Sequence, residues 1–137
     1  MKKVIVCRVD GLVDVVDLAA DRDWRWYAKQ IGAEFVESVH PKGLKEPYMF
    51  LCDEEGLLKG KPVIYFLGSW LYQTQDHGDP IVGDIMIVKE VSTPEGRDFD
   101  GLEAGEAEVM AEWLLSKFRE AYEAILTKIG HRLVEGA

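Results

Sequence analysis

The sequence predicts an α+β fold: a mostly antiparallel β-sheet with an N-terminal hairpin, a short helix near 22–31 and a long C-terminal amphipathic helix near 102–129. Three observations carry this reading. Short apolar runs such as VIVCRV, YMFLCD and IMIVKEV are bounded by turn-forming residues, as strands are. Asp10-Gly11 follows the first run and supplies the positive φ of a two-residue hairpin turn. Beyond residue 102 one apolar stripe, formed by Met110, Trp113, Leu114, Phe118, Ala121, Ile125 and Ile129, recurs at helical spacing.

In the opening strand Val4, Val6 and Arg8 alternate with Ile5, Cys7 and Val9, and the returning strand covers about 12–17. Asp21 then reads as an N-cap. Trp24, Tyr27, Ala28 and Ile31 share a helical face, and Gly32 suits the position after the helix. EFVESV at 34–39 alternates as a strand and runs into HPKGLKEP, whose prolines and glycine interrupt pairing. A strand at 48–52 ends in the polar turn Asp53-Glu54-Glu55-Gly56. The run VIYFLGSWLY at 63–72 is apolar throughout, so periodicity leaves it open between buried strand and buried helix. DIMIVKEV is a strand, and Ser92 to Gly96 begin a long turn region. Glutamates crowd the start of the last helix and Lys128, His131 and Arg132 its end, as the helix dipole prefers, with Gly130 as its stop. The chain reads as a single domain over 1–137, a β-rich part at 1–90 followed by a loop and the long helix at 91–137.

Composition limits the function classes. The net charge is -9, and it is uneven: residues 1–68 carry 10 Lys/Arg against 11 Asp/Glu, residues 69–137 carry 6 against 14. The densest block is Glu90, Glu95, Asp98, Asp100, Glu103, Glu106, Glu108 and Glu112, with Arg97 the one cation among them. Binding to duplex nucleic acid needs phosphate neutralisation by Lys and Arg, and this balance opposes it. An acidic face of this kind keeps a protein in solution or steers a basic partner onto it. Cys7 and Cys52 lie inside apolar runs with no signal peptide ahead of them, the pattern of reduced core residues in a cytoplasmic protein. A Cys7–Cys52 disulfide stays open if their strands are neighbours. The longest apolar run is shorter than the ~20 residues that span a bilayer, so a soluble protein is expected.

Catalytic motifs are sparse. Asp76, His77 and Asp79 place three possible ligands or acid/base groups in one loop. No HxxxH, HxH or CxxC accompanies them, so a loop of turn-forming residues is the simpler reading, and no metal or cofactor is expected. The serines lack a G-x-S-x-G elbow, and no glycine-rich loop links a strand to a helix. Aromatic and basic residues are more suggestive. Arg22, Trp24, Arg25 and Trp26 cluster on the short helix, where one tryptophan must leave the buried face, and Tyr48 and Trp70 are further candidates for a pocket.

PYMFLCDEEGLLKGKP at 47–62, followed by GDIMIV at 83–88, resembles the family named domain of unknown function 3846. The positions that carry the likeness are Asp53-Glu54-Glu55-Gly56, Leu58, Gly60, Pro62 and Ile81-Val82-Gly83-Asp84, and it extends over about 4–90. Members of that family often have Asn shortly after the proline, where this chain has Val63-Ile64. The resemblance implies a phage, plasmid or other mobile-element protein and transfers no catalytic residue. With it, the leading expectation is a non-enzymatic protein that blocks a host factor, such as a defence component. Its contact surface would be an acidic strip of Glu103, Glu106, Glu108 and Glu112 together with the aromatic helix. A second expectation is a binder that sequesters a nucleotide-type signal, using Arg22, Trp24, Arg25, Trp26, Tyr48 and Trp70, with a homodimer interface as one setting. A third is an enzyme using Asp76, His77 and Asp79.

Overall fold

The computed structural model describes residues 1–41, 43–61 and 82–135, with side chains through 120 and at 123. Among the described residues, β1 (Lys3–Cys7), β2 (Val13–Asp17), β3 (Val36–Val39), β4 (Tyr48–Asp53), β5 (Ile85–Thr93) and β6 (Gly96–Asp100) form one antiparallel sheet. Its order is β2-β1-β5-β4-β3, with β6 also on β5. β5 is the spine. Its first half pairs with β1, Cys7 opposite Ile85 and Ile5 opposite Ile87. Its second half pairs with β6, from Lys89 opposite Asp100 to Thr93 opposite Gly96, while β4 holds the other edge. Reciprocal hydrogen bonds between Lys3 and Leu102, at 2.8 and 2.7 Å, close the junction between β1 and β6.

The central strands are buried on both faces, which is why β1, β4 and β5 read as nearly continuous apolar runs. One face carries Ile5, Cys7, Phe50, Ile85, Ile87 and Leu102 beneath the helix α2 (Ala104–Glu135), which contributes Ala107, Ala111 and Leu114. The opposite face carries Val4, Val6, Met49, Leu51, Met86 and Val88, against Tyr27 and Ile31 near the helix α1 (Trp24–Gln30). α1 begins at Asp23, whose carboxylate accepts the N–H groups of Arg25 and Trp26 at 3.0 and 3.3 Å. Past its C-cap Ile31 the chain turns away at Gly32, φ +66°, with Ala33 N–H bonded back to the Ala28 carbonyl at 2.9 Å. α2 opens with half of a capping box, the Glu106 carboxylate accepting the Glu103 N–H at 3.0 Å. Its 32 residues span about 48 Å at 1.5 Å per residue.

Several expectations need correction. Asp23 caps α1, because it stands immediately before the first helical residue and Asp21 stands too far ahead. Trp24 is 46% exposed rather than part of the buried face. The first hairpin uses a three-residue loop: Gly11 N–H reaches the Arg8 carbonyl at 3.0 Å, Arg8 N–H reaches Leu12 at 2.8 Å, and Gly11 is in the left-handed region at φ +93°. The predicted turn region after Ser92 contains β6, whose GRDFD lacks apolar alternation because it is mostly exposed. Gly130 does not stop α2, which runs to Glu135. β1 and β4 are not neighbours. With β5 between them, Cys7 and Cys52 stand two strand spacings apart, about 9–10 Å, too far for a disulfide. Both cysteines are unbridged and buried, and burial pushes both thiols up to about 12. The run at 63–72 lies outside the described residues. No described helix is long and apolar enough to cross a membrane.

Candidate functional site

The acidic block divides into carboxylates used inside the fold and carboxylates facing water. Glu90 sits between His40 and Arg97, and Asp100 between Lys2 and Arg22. Glu106 turns toward the sheet, accepting hydrogen bonds from Tyr48 Oη and from Lys89 Nζ, the latter at 2.6 Å. Burial pushes its carboxyl up, but the bonds from Lys89, Tyr48 and the Glu103 N–H outweigh that and hold it below the ordinary carboxylate range. The same contact, with burial, pushes the Tyr48 phenol up to about 12. The predicted four-residue strip therefore loses Glu106, whereas Glu103, Glu108 and Glu112 are exposed.

The predicted aromatic set also separates. Trp24 stacks on Phe35 with ring centroids 5.6 Å apart and planes 11° apart, and Arg25 lies 5.0 Å from the Trp24 centroid. Trp26 turns inward, edge-on to Tyr27, which is itself edge-on to Phe99. Arg22 is committed to the Tyr27 hydroxyl at 2.8 Å, the Ala19 carbonyl at 3.2 Å and Asp100 at 3.2 Å. Tyr48 lies on the other face of the sheet, toward α2. These residues do not form one pocket. Trp70, and with it Asp76, His77 and Asp79, lies outside the described residues.

Two other sequence signals prove to be joints of the fold. Asp53, its side chain 1% exposed, binds Lys59 at 3.0 Å, Lys61 at 2.6 Å and the Glu55 N–H at 2.9 Å. Lys61 then reaches the Gly32 carbonyl at 2.7 Å, so the turn after β4 holds the C-terminal end of α1. Gly83 lies under the Lys61 stem, where an added Cβ would come within 2.9 Å. Asp84 accepts from Val9 N–H at 3.0 Å and from Arg8 at 3.1 Å, pinning the hairpin loop onto the start of β5. Among the described residues no three His, Cys, Asp or Glu side chains are placed to hold a metal ion.

A small polar pocket of about 180 Å³ lies by His40, Glu46, Glu90, Ser92 and Arg97. Of its two carboxylates, Glu90 is spent on the pairs with His40, just past β3, and Arg97 of β6. A larger groove of about 590 Å³ opens between the first turns of α2 and the loop before β4. Leu44 and Tyr48 form one wall; Val109, Met110 and Trp113 form the other, with Gly105 at the end. Its lining is predominantly apolar, and Val109 is 69% exposed. The loop is shaped by turns from Leu44 N–H to the Pro41 carbonyl, 3.2 Å, and from Tyr48 N–H to the Lys45 carbonyl, 3.0 Å. The helix wall arises because the apolar stripe of α2 is wider than the sheet can cover. Ala107, Ala111 and Leu114 point into the core, and Val109, Met110 and Trp113 continue the stripe around the side. The sequence marks Tyr48 as a pocket residue and places Met110 and Trp113 in the helix stripe, but gives no sign of Val109 and Leu44; the stripe's excess width was the available signal.

No family model, curated protein or solved structure matches this chain. The resemblance at 47–62 and 83–88 rests on its motif residues alone.

Proposed function

We propose that this chain is a non-enzymatic binding protein that holds a protein partner in the groove between α2 and the loop before β4. One observation carries the reading: an open apolar groove of about 590 Å³ that includes two aromatic residues and the largely exposed Val109. Exposed apolar surface of this kind costs solubility unless a partner uses it. Tyr48 and Trp113 inside the groove and the exposed Glu108 and Glu112 on the same helix support the reading; the aromatic helix expected to share the contact surface is α1, on the opposite face of the sheet. The motif resemblance to mobile-element proteins favours a host factor as the partner, blocked by occupation of its own surface. A nucleotide-type signal is less well served, because its phosphates need convergent donors and Lys45 is the one uncommitted cation among the described lining residues. The test is capture from host lysate by the wild-type chain and by Val109→Glu, a change at an exposed position that leaves the core intact. A partner held by the wild type and lost by the variant supports the groove. An identical set of captured proteins refutes it.

A further inference from the structure

Resting on the groove reading, we infer that the occupant is a basic amphipathic helix of the partner. Three features of the groove select it. Among the described residues the walls offer side chains but no free sheet edge: from Ala107 onward α2's amides serve their own helix, and the Leu44 and Tyr48 N–H groups are used in the loop's turns. An extended peptide would find no backbone ladder here, whereas a helix satisfies its own backbone and needs only an apolar stripe to insert. The size agrees, since the groove-lining part of α2 from Gly105 to Trp113 measures about 12 Å, two to three turns of a docked helix. Charge decides the flanks. Glu108 and Glu112 stand three residues beyond Gly105 and Val109, so they border the open side of the groove, and both are exposed. Glu106 at the floor is already paired with Lys89 and Tyr48 and makes no demand on the partner. An occupant with leucine-like residues on one stripe and Lys or Arg on the side toward Glu108 and Glu112, away from Lys45 on the loop wall, meets both requirements, and the chain's net charge of -9 steers it in.

The experiment uses two fluorescently labelled synthetic peptides, each about 18 residues long with the same leucine stripe, one carrying lysines and the other glutamates. Both are titrated against the full chain at about 0.15 M salt, where long-range attraction is largely screened. The inference predicts that the lysine peptide binds about tenfold more tightly than the glutamate peptide, ~1.4 kcal/mol. Glu108→Lys with Glu112→Lys is expected to remove most of that difference. Val109→Glu separates the inserted helix from simple charge attraction: it adds a negative charge, yet it is expected to weaken the lysine peptide about tenfold or more by putting a carboxylate in the apolar slot. Equal affinity for the two peptides, lost in Val109→Glu, overturns the basic helix and leaves the groove standing. Binding that survives or tightens in Val109→Glu overturns the groove as well, and so does absence of binding by either peptide.

Discussion

Replacing Asp53 by Asn removes one negative charge from a site where it is almost fully enclosed, 1% exposed, while keeping shape and the acceptor for the Glu55 N–H. What is lost is the pairing with Lys61 at 2.6 Å, together with the weaker contribution of Lys59, which is a third exposed and screened by water. Lys61 is 20% exposed and also bonds the Gly32 carbonyl, so it is left partly buried without its counter-charge. Breaking a buried pair from one side costs 3–5 kcal/mol when no water can enter; partial access here reduces that to about 2–4 kcal/mol. With a urea slope of about 2 kcal/mol per molar, the denaturation midpoint falls by about 1–2 M at unchanged slope. The sign with pH follows from the carboxyl itself. Burial pushes Asp53 up, but the bonds from Lys61, the Glu55 N–H and Lys59 overcome it, so the folded value lies below the ordinary one. Its stabilisation is therefore complete above about pH 4, the unfolded value, and is lost as the pH falls through the lower folded value. The gap between wild type and variant should narrow on acidification. A loss under about 1 kcal/mol at pH 7, or a gap that ignores pH, would show that this bridge does not hold the turn to α1.

Gly105→Ala meets nothing within 4 Å and removes a glycine from the first turn of α2, so thermal melting should show a gain of about 0.5 kcal/mol. Gly11→Ala should lower stability by about 2 kcal/mol in the same assay, because an alanine at φ +93° is strained and its Cβ would stand 2.6 Å from the Phe118 ring. Cys7 and Cys52, with thiols pushed up to about 12 and no room for reagent, should stay unlabelled by a thiol probe at pH 8 and both react in urea. Rapid labelling of either in the folded chain would contradict its burial.

The central architecture was legible because strong patterns cause it. β1, β4 and β5 are apolar on both faces since both faces are covered, and α2 shows a stripe because one side of it must pack on the sheet. β6 escaped notice for the reverse reason: held by hydrogen bonds to β5, its Gly96, Arg97 and Asp98 face water and need no apolar alternation. The end of α2 was misplaced because a single interior glycine costs only about 1 kcal/mol, too little to stop a long helix. Charge sums were a poor guide to the site. Eight acidic residues between 90 and 112 looked alike in sequence, yet Glu90, Asp100 and Glu106 are consumed by partners distant along the chain, His40, Lys2, Arg22, Tyr48 and Lys89 among them. Such pairings follow from strand order, which no local pattern encodes. The groove too depends on tertiary placement, since Leu44 meets Val109 only after the loop before β4 comes alongside α2.

The most direct test of the groove is a ¹H–¹⁵N spectrum of the labelled chain, with its indole N–H signals assigned, titrated with the lysine-rich amphipathic peptide. The groove contains Trp113, while Trp24 and Trp26 belong to α1 on the opposite face of the sheet. The indole signal of Trp113 should move progressively with peptide, accompanied by the amides of Leu44 and Val109, while those of Trp24 and Trp26 stay in place. Movement of Trp24 with Trp113 unchanged would put the contact on the exposed Trp24–Phe35 pair and contradict the groove.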